Sequence, residues 1–262
     1  MKFLSTLLKY LGSILALLIL LIYGTGGGIG TPHYDYPDGD KMQFAHRGCC
    51  QNLPRNSMAA FDRAVAQNLA IETDVRMTKD GKLVLFHDDT TSLKLNLNGS
   101  IAQYTYAHLR NNPFIQHGKA TSHYLVTLDS LMYRHANTPL YLDLKTPSKK
   151  VADSLVHQLT KLRNENYLIA DANIVLLAYL KWKNPTIKTV WEGFDAGKEW
   201  TYHLIPKKYK PNYLASFRDQ VTESHLAWLQ DNDLLKAKIV YGKKGSEKIP
   251  LDAIPHQMVE CE

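Results

Sequence analysis

The sequence predicts an α/β fold, a (β/α)8 TIM barrel behind an N-terminal transmembrane helix, with a doubly wound open sheet as the second choice. Three observations carry this. Beyond residue 40, short apolar runs alternate with amphipathic stretches, the pattern of a parallel sheet whose strands are joined by helices. About seven or eight of those runs read as strands, close to what a closed barrel needs. Residues 41–262 contain no long Ser/Gly/Pro linker, so they form a single domain of barrel size.

The front of the chain is a membrane signal. No residue from Leu11 to Gly30 is charged, and LGSILALLILLIY is its apolar centre. Lys2 and Lys9 precede this run and no Lys or Arg follows until Lys41, so the N-terminus is expected in the cytoplasm and the domain outside. Phe3 to Tyr23 supplies about the 20 residues that span a bilayer. Residues 1–30 therefore read as an uncleaved signal anchor, with cleavage near GTGGG and secretion as the alternative. TPHYDYPDGD, residues 31–40, reads as a flexible tether.

The elements of the domain follow in order. KMQFAH is a strand. NSMAAFDRAVAQN is a helix capped by Asn56 or Ser57, with Met58, Phe61 and Val65 on its buried face. AIETDVRM and KLVLFHDD are strands separated by the turn TKDG, and Asp88 and Asp89 read as turn caps. LYLDLK is a strand, followed by the helix KKVADSLVHQLTKLRNE. IVLLAY, TIKTVWE, YLASF and KIVY complete the strand candidates.

Composition narrows the function. A chain that is 45% hydrophobic and 21% charged is an ordinary globular protein, not a disordered one. The net charge of +6 is scattered in short clusters such as Lys207, Lys208 and Lys210, and no reading motif accompanies it, so nucleic acid is not expected as a partner. An anionic lipid surface or a phosphate-bearing substrate suits it better. No protein partner is predicted. Three cysteines, Cys49, Cys50 and Cys261, form neither a disulfide framework nor a zinc site and read as structural or incidental. Trp182, Trp191 and Tyr241 are assigned to core packing, with lining of a substrate pocket as the alternative.

Strand geometry gathers the chemistry. Side chains two apart share a face, so Glu72 and Asp74 project together, as do Asp143 and Lys145, while Ile71, Val75, Leu140, Leu142 and Leu144 face the other way. His46 and His87 each close a strand pattern. In a barrel such side chains meet at the C-terminal mouth. Three carboxylates, Glu72, Asp74 and Asp143, repel one another unless a cation sits among them, and oxygen donors suit one divalent cation, Mg²⁺ or Ca²⁺. Arg47 and Lys145 can bind a phosphate, and two histidines can serve as acid and base. A lone strand-end His or E-x-D pair is more often structural; the order and spacing of the pieces favour metal-assisted cleavage of a phosphodiester.

HRG at 46–48, NS-x3-F at 56–61, IETDVRMTKDGKLVLFHD at 71–88 and YLDLK at 141–145 resemble the glycerophosphodiester phosphodiesterase family, as does VTLDSLM at 126–132. The resemblance covers residues 42–150 well and implies a TIM barrel. It makes His46 and His87 the acid/base pair, Glu72, Asp74 and Asp143 metal ligands, and Arg47 and Lys145 phosphate contacts. It also implies a mechanism in which a substrate hydroxyl beside the diester attacks phosphorus. Three departures mark this chain. Arg55 stands where the family has a glutamate, which leaves the HRG arginine short of a salt-bridge partner. Asp143 replaces the usual glutamate, as in the sphingomyelinase D-like branch. The tail KKGSEKIPLDAIPHQMVECE lacks the family's endings, so the last unit is expected to be irregular. The expected activity is hydrolysis of glycerophosphodiesters to an alcohol and glycerol phosphate. A lipid headgroup hydrolase and a non-catalytic phosphate-binding barrel are the alternatives.

Overall fold

The strands in chain order are β1 Gln43–Ala45, β2 Ala70–Met77, β3 Leu83–Leu85, β4 Pro113–Gln116, β5 Lys119–Tyr124, β6 Leu140–Leu144, β7 Tyr167–Asp171, β8 Thr189–Trp191, β9 Tyr213–Phe217, β10 Lys238–Tyr241 and β11 His256–Val259. The helices are α1 Lys2–Thr25, α2 Met58–Ala66, α3 Ser92–Leu95, α4 Tyr106–Leu109, α5 Leu128–Arg134, α6 Lys149–Leu162, α7 Ile174–Lys183, α8 Glu199–His203 and α9 Glu223–Asp231. This computed structural model describes residues 2–32, 34, 41–162 and 166–261. The end of the helix read as KKVADSLVHQLTKLRNE, and most of the stretch read as a tether, lie outside them.

Eight strands form a closed parallel barrel in the order β1, β2, β6, β7, β8, β9, β10, β11, and β1 closes it by pairing with both β2 and β11. The alternation expected from sequence sets the two faces. Phe44, Ala70, Tyr141, Leu168, Ala170, Val190, Tyr213, Ala215 and Ile239 fill the interior. Ile71, Val75, Leu140, Leu142 and Leu144 point outward and pack with Phe61, Leu131, Leu155 and Leu177 from the surrounding helices. Parallel register sets Asp74 opposite Asp143 and Glu72 opposite Tyr141, so one level of the barrel is acidic.

Ser57, not Asn56, caps α2 by accepting from the Ala60 amide at 3.3 Å. Phe61 is fully buried on this helix, while Met58 and Val65 are half-buried against the same core.

Several elements differ from expectation. KLVLFHDD contributes β3, which runs antiparallel to β2 across the TKDG turn and is not a barrel strand. IVLLAY is not a strand: it opens α7, whose first amides, Val175 and Leu176, are accepted by the Asn173 side chain. An all-apolar run carries no period that separates strand from buried helix, and the cap decides. β7 and β11 take the places of KLVLFHDD and IVLLAY in the count of eight. Between β3 and α5 the chain makes an excursion holding α3, α4 and the β4–β5 hairpin, whose turn places His117 and Gly118 at φ 51° and 73°. It has its own core of Val84, Phe86, Leu95, Ile101, Leu109, Phe114 and Leu125. The segment between β10 and β11 contains no helix, the irregular last unit that the tail implied.

The end of the anchor segment and Tyr34 of the tether are docked rather than free. The Lys207 and Lys208 amides donate to the Gly28 and Gly26 carbonyls at 3.0 and 2.8 Å, and the Tyr34 hydroxyl donates to the Lys210 carbonyl at 2.7 Å.

Candidate active site

The loop after β1 is built by backbone constraints that explain its residue types. Arg47 and Gly48 both take positive φ, 58° and 80°, and a Cβ at Gly48 would lie 2.7 Å from the Ala60 backbone of α2. Glycine is thus required where this turn rests on the helix. The turn aims the Arg47 amide at Glu72, donating to Oε2 at 2.7 Å, and brings Arg47 Nε 3.1 Å from Asp74 Oδ2.

Asn56 also sits in the left-handed region, at φ 58°, which asparagine tolerates better than most residues. It is buried and works as a clamp: Nδ2 donates to Asp74 Oδ2 at 2.7 Å while Oδ1 accepts from the Thr73 hydroxyl at 2.8 Å.

Glu72, Asp74 and Asp143 each place a carboxylate oxygen within 4.8 Å of the others. Three charges that close, at an effective dielectric of about 20, oppose one another by roughly 3 kcal/mol per pair. Burial, then Asp74 and Asp143, hold the Glu72 carboxyl well above its ordinary range. Asp143 is raised by burial as well, although Lys145 pulls it down. Lys145 donates to Asp143 and stands 3.2 Å from Asp74 Oδ1; burial alone would lower its ammonium, but Asp143 and Asp74 hold it above the usual lysine value. Two cations for three carboxylates leave net negative charge. Asp74 Oδ1, fully buried, has the Lys145 ammonium at 3.2 Å as its ion-pair partner and no well-aligned hydrogen bond. An all-oxygen donor set of three clustered carboxylates on rigid strands fits a hard divalent cation.

The cleft over this cluster has a volume of about 720 Å³ and is lined by His46, Arg47, Glu72, Asp143 and Lys145 together with Glu192, Phe217, Tyr241, Met258 and Glu260. A second cleft of about 530 Å³ is lined by Arg47, Arg55, Asn56, His87, Asp88 and the excursion residues Phe86, Lys94, Phe114 and His117. Arg47 borders both, so the sequence-expected residues meet at one mouth. Each histidine has a carboxylate on Nδ1, Glu260 for His46 and Asp88 for His87 at 2.8 Å, which leaves Nε2 of each for other work. Burial is the main reason that His46 titrates below the ordinary histidine value. Asp88 is thus a histidine partner and not a turn cap, and Asp89 pairs with Arg76 at 2.7 Å.

The cysteine expectation is corrected. Cys49 and Cys261 form a disulfide, with Cα atoms 5.0 Å apart across 212 residues, and Cys50 is left as the free thiol. Barrel closure explains it: β1 and β11 are neighbours, so their following loops meet although the sequence ends are remote. The bridge holds the tail where Glu260 reaches His46 and lies 3.6 Å from Arg55. Arg47 therefore does not lack a carboxylate, since Asp74 serves it, and Arg55 is matched by Glu260.

Three acidic groups escaped the sequence reading. Glu260 lies beyond a strand that its tail did not announce. Glu192 directly follows β8, accepts from the Tyr141 hydroxyl at 2.7 Å and is pushed up to about 7 by burial and by Asp143. Asp171 ends β7 and is raised to about 6, chiefly by burial. For Glu192 the strand-end position in TVWE was an available signal. Of the aromatics assigned to core packing, Trp191 does pack half-buried against the core, Tyr241 packs on the barrel interior and also lines the cleft, and Trp182 is 59% exposed rather than in the core.

Comparison with known proteins gives the same picture. The sequence model of the glycerophosphoryl diester phosphodiesterase family matches residues 46–236. The chain is 43% identical over 68 residues to a glycerophosphodiester phosphodiesterase of Bacillus altitudinis, a match that spans 26% of this chain and 28% of that relative's length. Among solved structures, a glycerophosphodiester phosphodiesterase from Agrobacterium tumefaciens superposes with a TM-score of 0.69 at 17% identity, covering 84% of this chain and 96% of that one. A phosphodiesterase of Oleispira antarctica, in complex with the product sn-glycerol-3-phosphate, does so with a TM-score of 0.64 at 18% identity, covering 77% and 84%. A family match that starts at His46 and runs through every strand from β2 to β9 is not a local coincidence, and this chain belongs to the glycerophosphoryl diester phosphodiesterase family.

Proposed function

We propose that this protein is a membrane-anchored, exported phosphodiesterase that cleaves glycerophosphodiesters to glycerol phosphate and an alcohol. The observation that carries the reading is the convergence of His46, His87, Arg47, Lys145 and the Glu72–Asp74–Asp143 cluster at one barrel mouth. The Oleispira enzyme's product supports the glycerol phosphate half of the substrate.

Glu72, Asp74 and Asp143 would hold one divalent cation, which when bound offsets charge on the phosphoryl oxygens. Arg47 and Lys145 neutralise the same group from the sides. Nε2 of one histidine takes the proton of the glycerol hydroxyl beside the diester as its oxygen attacks phosphorus. The phosphorus–oxygen ester bond to the alcohol breaks, and Nε2 of the other histidine returns a proton to the departing oxygen. Water then opens the cyclic phosphate with the two roles exchanged.

Export is supported by Lys2 and Lys9, ahead of and in the first turns of the 22-residue span Leu4–Thr25, and by the Cys49–Cys261 bridge, since disulfides persist in oxidising compartments. The test is release of glycerol phosphate from glycerophosphocholine by the full chain in detergent. Activity should vanish with EDTA and return with Mg²⁺ or Ca²⁺, and His46→Ala or His87→Ala should each cost at least about 10²-fold. Absence of hydrolysis with any divalent ion would favour a barrel that only binds phosphate.

A further inference from the structure

The place where α1 meets the barrel fixes which end of the barrel faces the membrane. Leu4–Thr25 is exposed along its whole apolar length, and at a 1.5 Å rise its 22 residues reach about 33 Å, enough to cross a bilayer. Its last turns rest on the segment between α8 and β9. The Tyr23 hydroxyl donates to the Leu204 carbonyl, and Gly26 and Gly28 accept from the Lys208 and Lys207 amides. A Cβ at Gly26 would lie 2.5 Å from Pro206, so this seat is close-packed.

Residues 204–210 run into the start of β9, and Lys41 and Lys188 stand just ahead of β1 and β8. All belong to the N-terminal end of the barrel. The site residues His46, Lys145, Glu192, Tyr241 and Glu260 follow or close the C-terminal ends of their strands. Anchor and mouth are therefore at opposite ends, separated by a strand of five residues, roughly 17 Å. The anchored end exposes Leu204 and Ile29, and the lysines Lys41, Lys188, Lys207 and Lys208 at this end of the barrel are exposed as well. An apolar level flanked by cations matches the boundary of an anionic leaflet.

We propose that the N-terminal end of the barrel is a lipid-facing surface, so that the active-site mouth opens away from the bilayer and takes diffusible, deacylated phosphodiesters rather than lipids of the same membrane. The inference rests on α1 remaining attached, and it narrows the substrate class of the proposed hydrolase. A lysolipid whose chain stays in the leaflet presents its headgroup at the wrong end of the barrel.

The test uses the full chain, with Cys50→Ser, in vesicles of phosphatidylcholine and phosphatidylglycerol carrying acceptor-labelled headgroups. A donor dye is placed at Lys208→Cys or at Lys243→Cys beside the mouth. Energy transfer several-fold stronger from position 208 is expected; equal transfer, or stronger transfer from 243, overturns the surface. In the same vesicles, dissolved glycerophosphocholine should be hydrolysed at least tenfold faster than embedded lysophosphatidylcholine, and comparable rates overturn the substrate assignment. Hydrolysis of neither, with the transfer difference intact, overturns the catalytic reading and upholds the surface.

Discussion

Glu260 and His46 are joined by a hydrogen bond between residues 214 apart in sequence, one in the tail after the last barrel strand and the other at the end of the first. The contact fixes Nδ1 of the imidazole and turns Nε2 free. Glu260→Gln keeps the shape but removes the charge that supports a protonated ring. We expect kcat to fall about 10²-fold, within the range that an acid–base group supplies, with KM little changed. Glu260→Asp should recover part of the loss, and wild-type kinetics in the Gln variant would remove Glu260 from the mechanism.

The Cys49–Cys261 bridge makes that contact dependent on oxidation. Its loop is long, and disulfides of this kind contribute about 2–4 kcal/mol. For a chain of this size the loss corresponds to roughly 5–15 °C in melting temperature. Dithiothreitol, or Cys261→Ser, should lower the melting point by that amount and lower activity as Glu260 drifts from His46. Melting curves and rates measured with and without reductant check both; identical values would mean that strand pairing alone holds the tail.

The metal site yields a paired expectation. Glu72→Gln with Asp74→Asn should abolish the rise in melting temperature that Mg²⁺ or Ca²⁺ gives the wild type, where a cation at 100 times its Kd adds about 2.7 kcal/mol. In EDTA the double variant should melt no lower than wild type, because it loses mutual repulsion along with the charges. A preserved metal shift would assign the cation elsewhere.

How far the sequence carried these conclusions depended on whether a signal was local. Glu72, Asp74, Asp143 and Lys145 could be placed because alternation along one strand is local, and β2 and β6 show it clearly. The run IVLLAY could not be resolved, since hydrophobicity on every position has no period; only the Asn173 cap, read with the leucines that follow, separates helix from strand. Glu260 and the disulfide were out of reach for another reason. Their meaning comes from barrel closure, which makes neighbours of β1 and β11, and no local pattern reports that adjacency.

Arg55, in the family's glutamate position, lies 3.6 Å from Glu260 and is half-exposed. Such an exposed pair is worth under about 1 kcal/mol, so Arg55→Ala should leave the melting temperature almost unchanged. The consequence belongs to substrate: Arg55→Glu adds a second carboxylate beside the phosphate path and should raise KM for an anionic diester several-fold. Salt should shrink the difference, as it does for any surface field. A KM equal to that of wild type at low salt would show that Arg55 does not face the incoming phosphate.

Lys238 carries the last expectation, on the outer face of β10 and away from the site. Its ammonium is fully buried, donating to the Phe194 carbonyl at 3.0 Å and to Ser216, and it faces His225 Nε2 at 3.1 Å; Glu199 holds the far side of that imidazole at 2.6 Å. Burial pushes Lys238 down to about 7, with Asp195 and Glu199 opposing only in part. Unfolded, the same lysine titrates near 10.4, so between about pH 7 and 10.4 the unfolded chain binds more protons and stability rises with pH. His225, held low by burial and by Lys238, has the same sign below pH 6.5. Lys238→Met cannot titrate. The unfolding free energy of wild type minus that of Lys238→Met, read from denaturant titrations, should therefore increase from pH 6.5 to 9, at up to about 1.4 kcal/mol per pH unit. A difference that stays constant across that range would mean that the buried lysine keeps its proton, stabilised by Ser216, Phe194 and the His225–Glu199 pair.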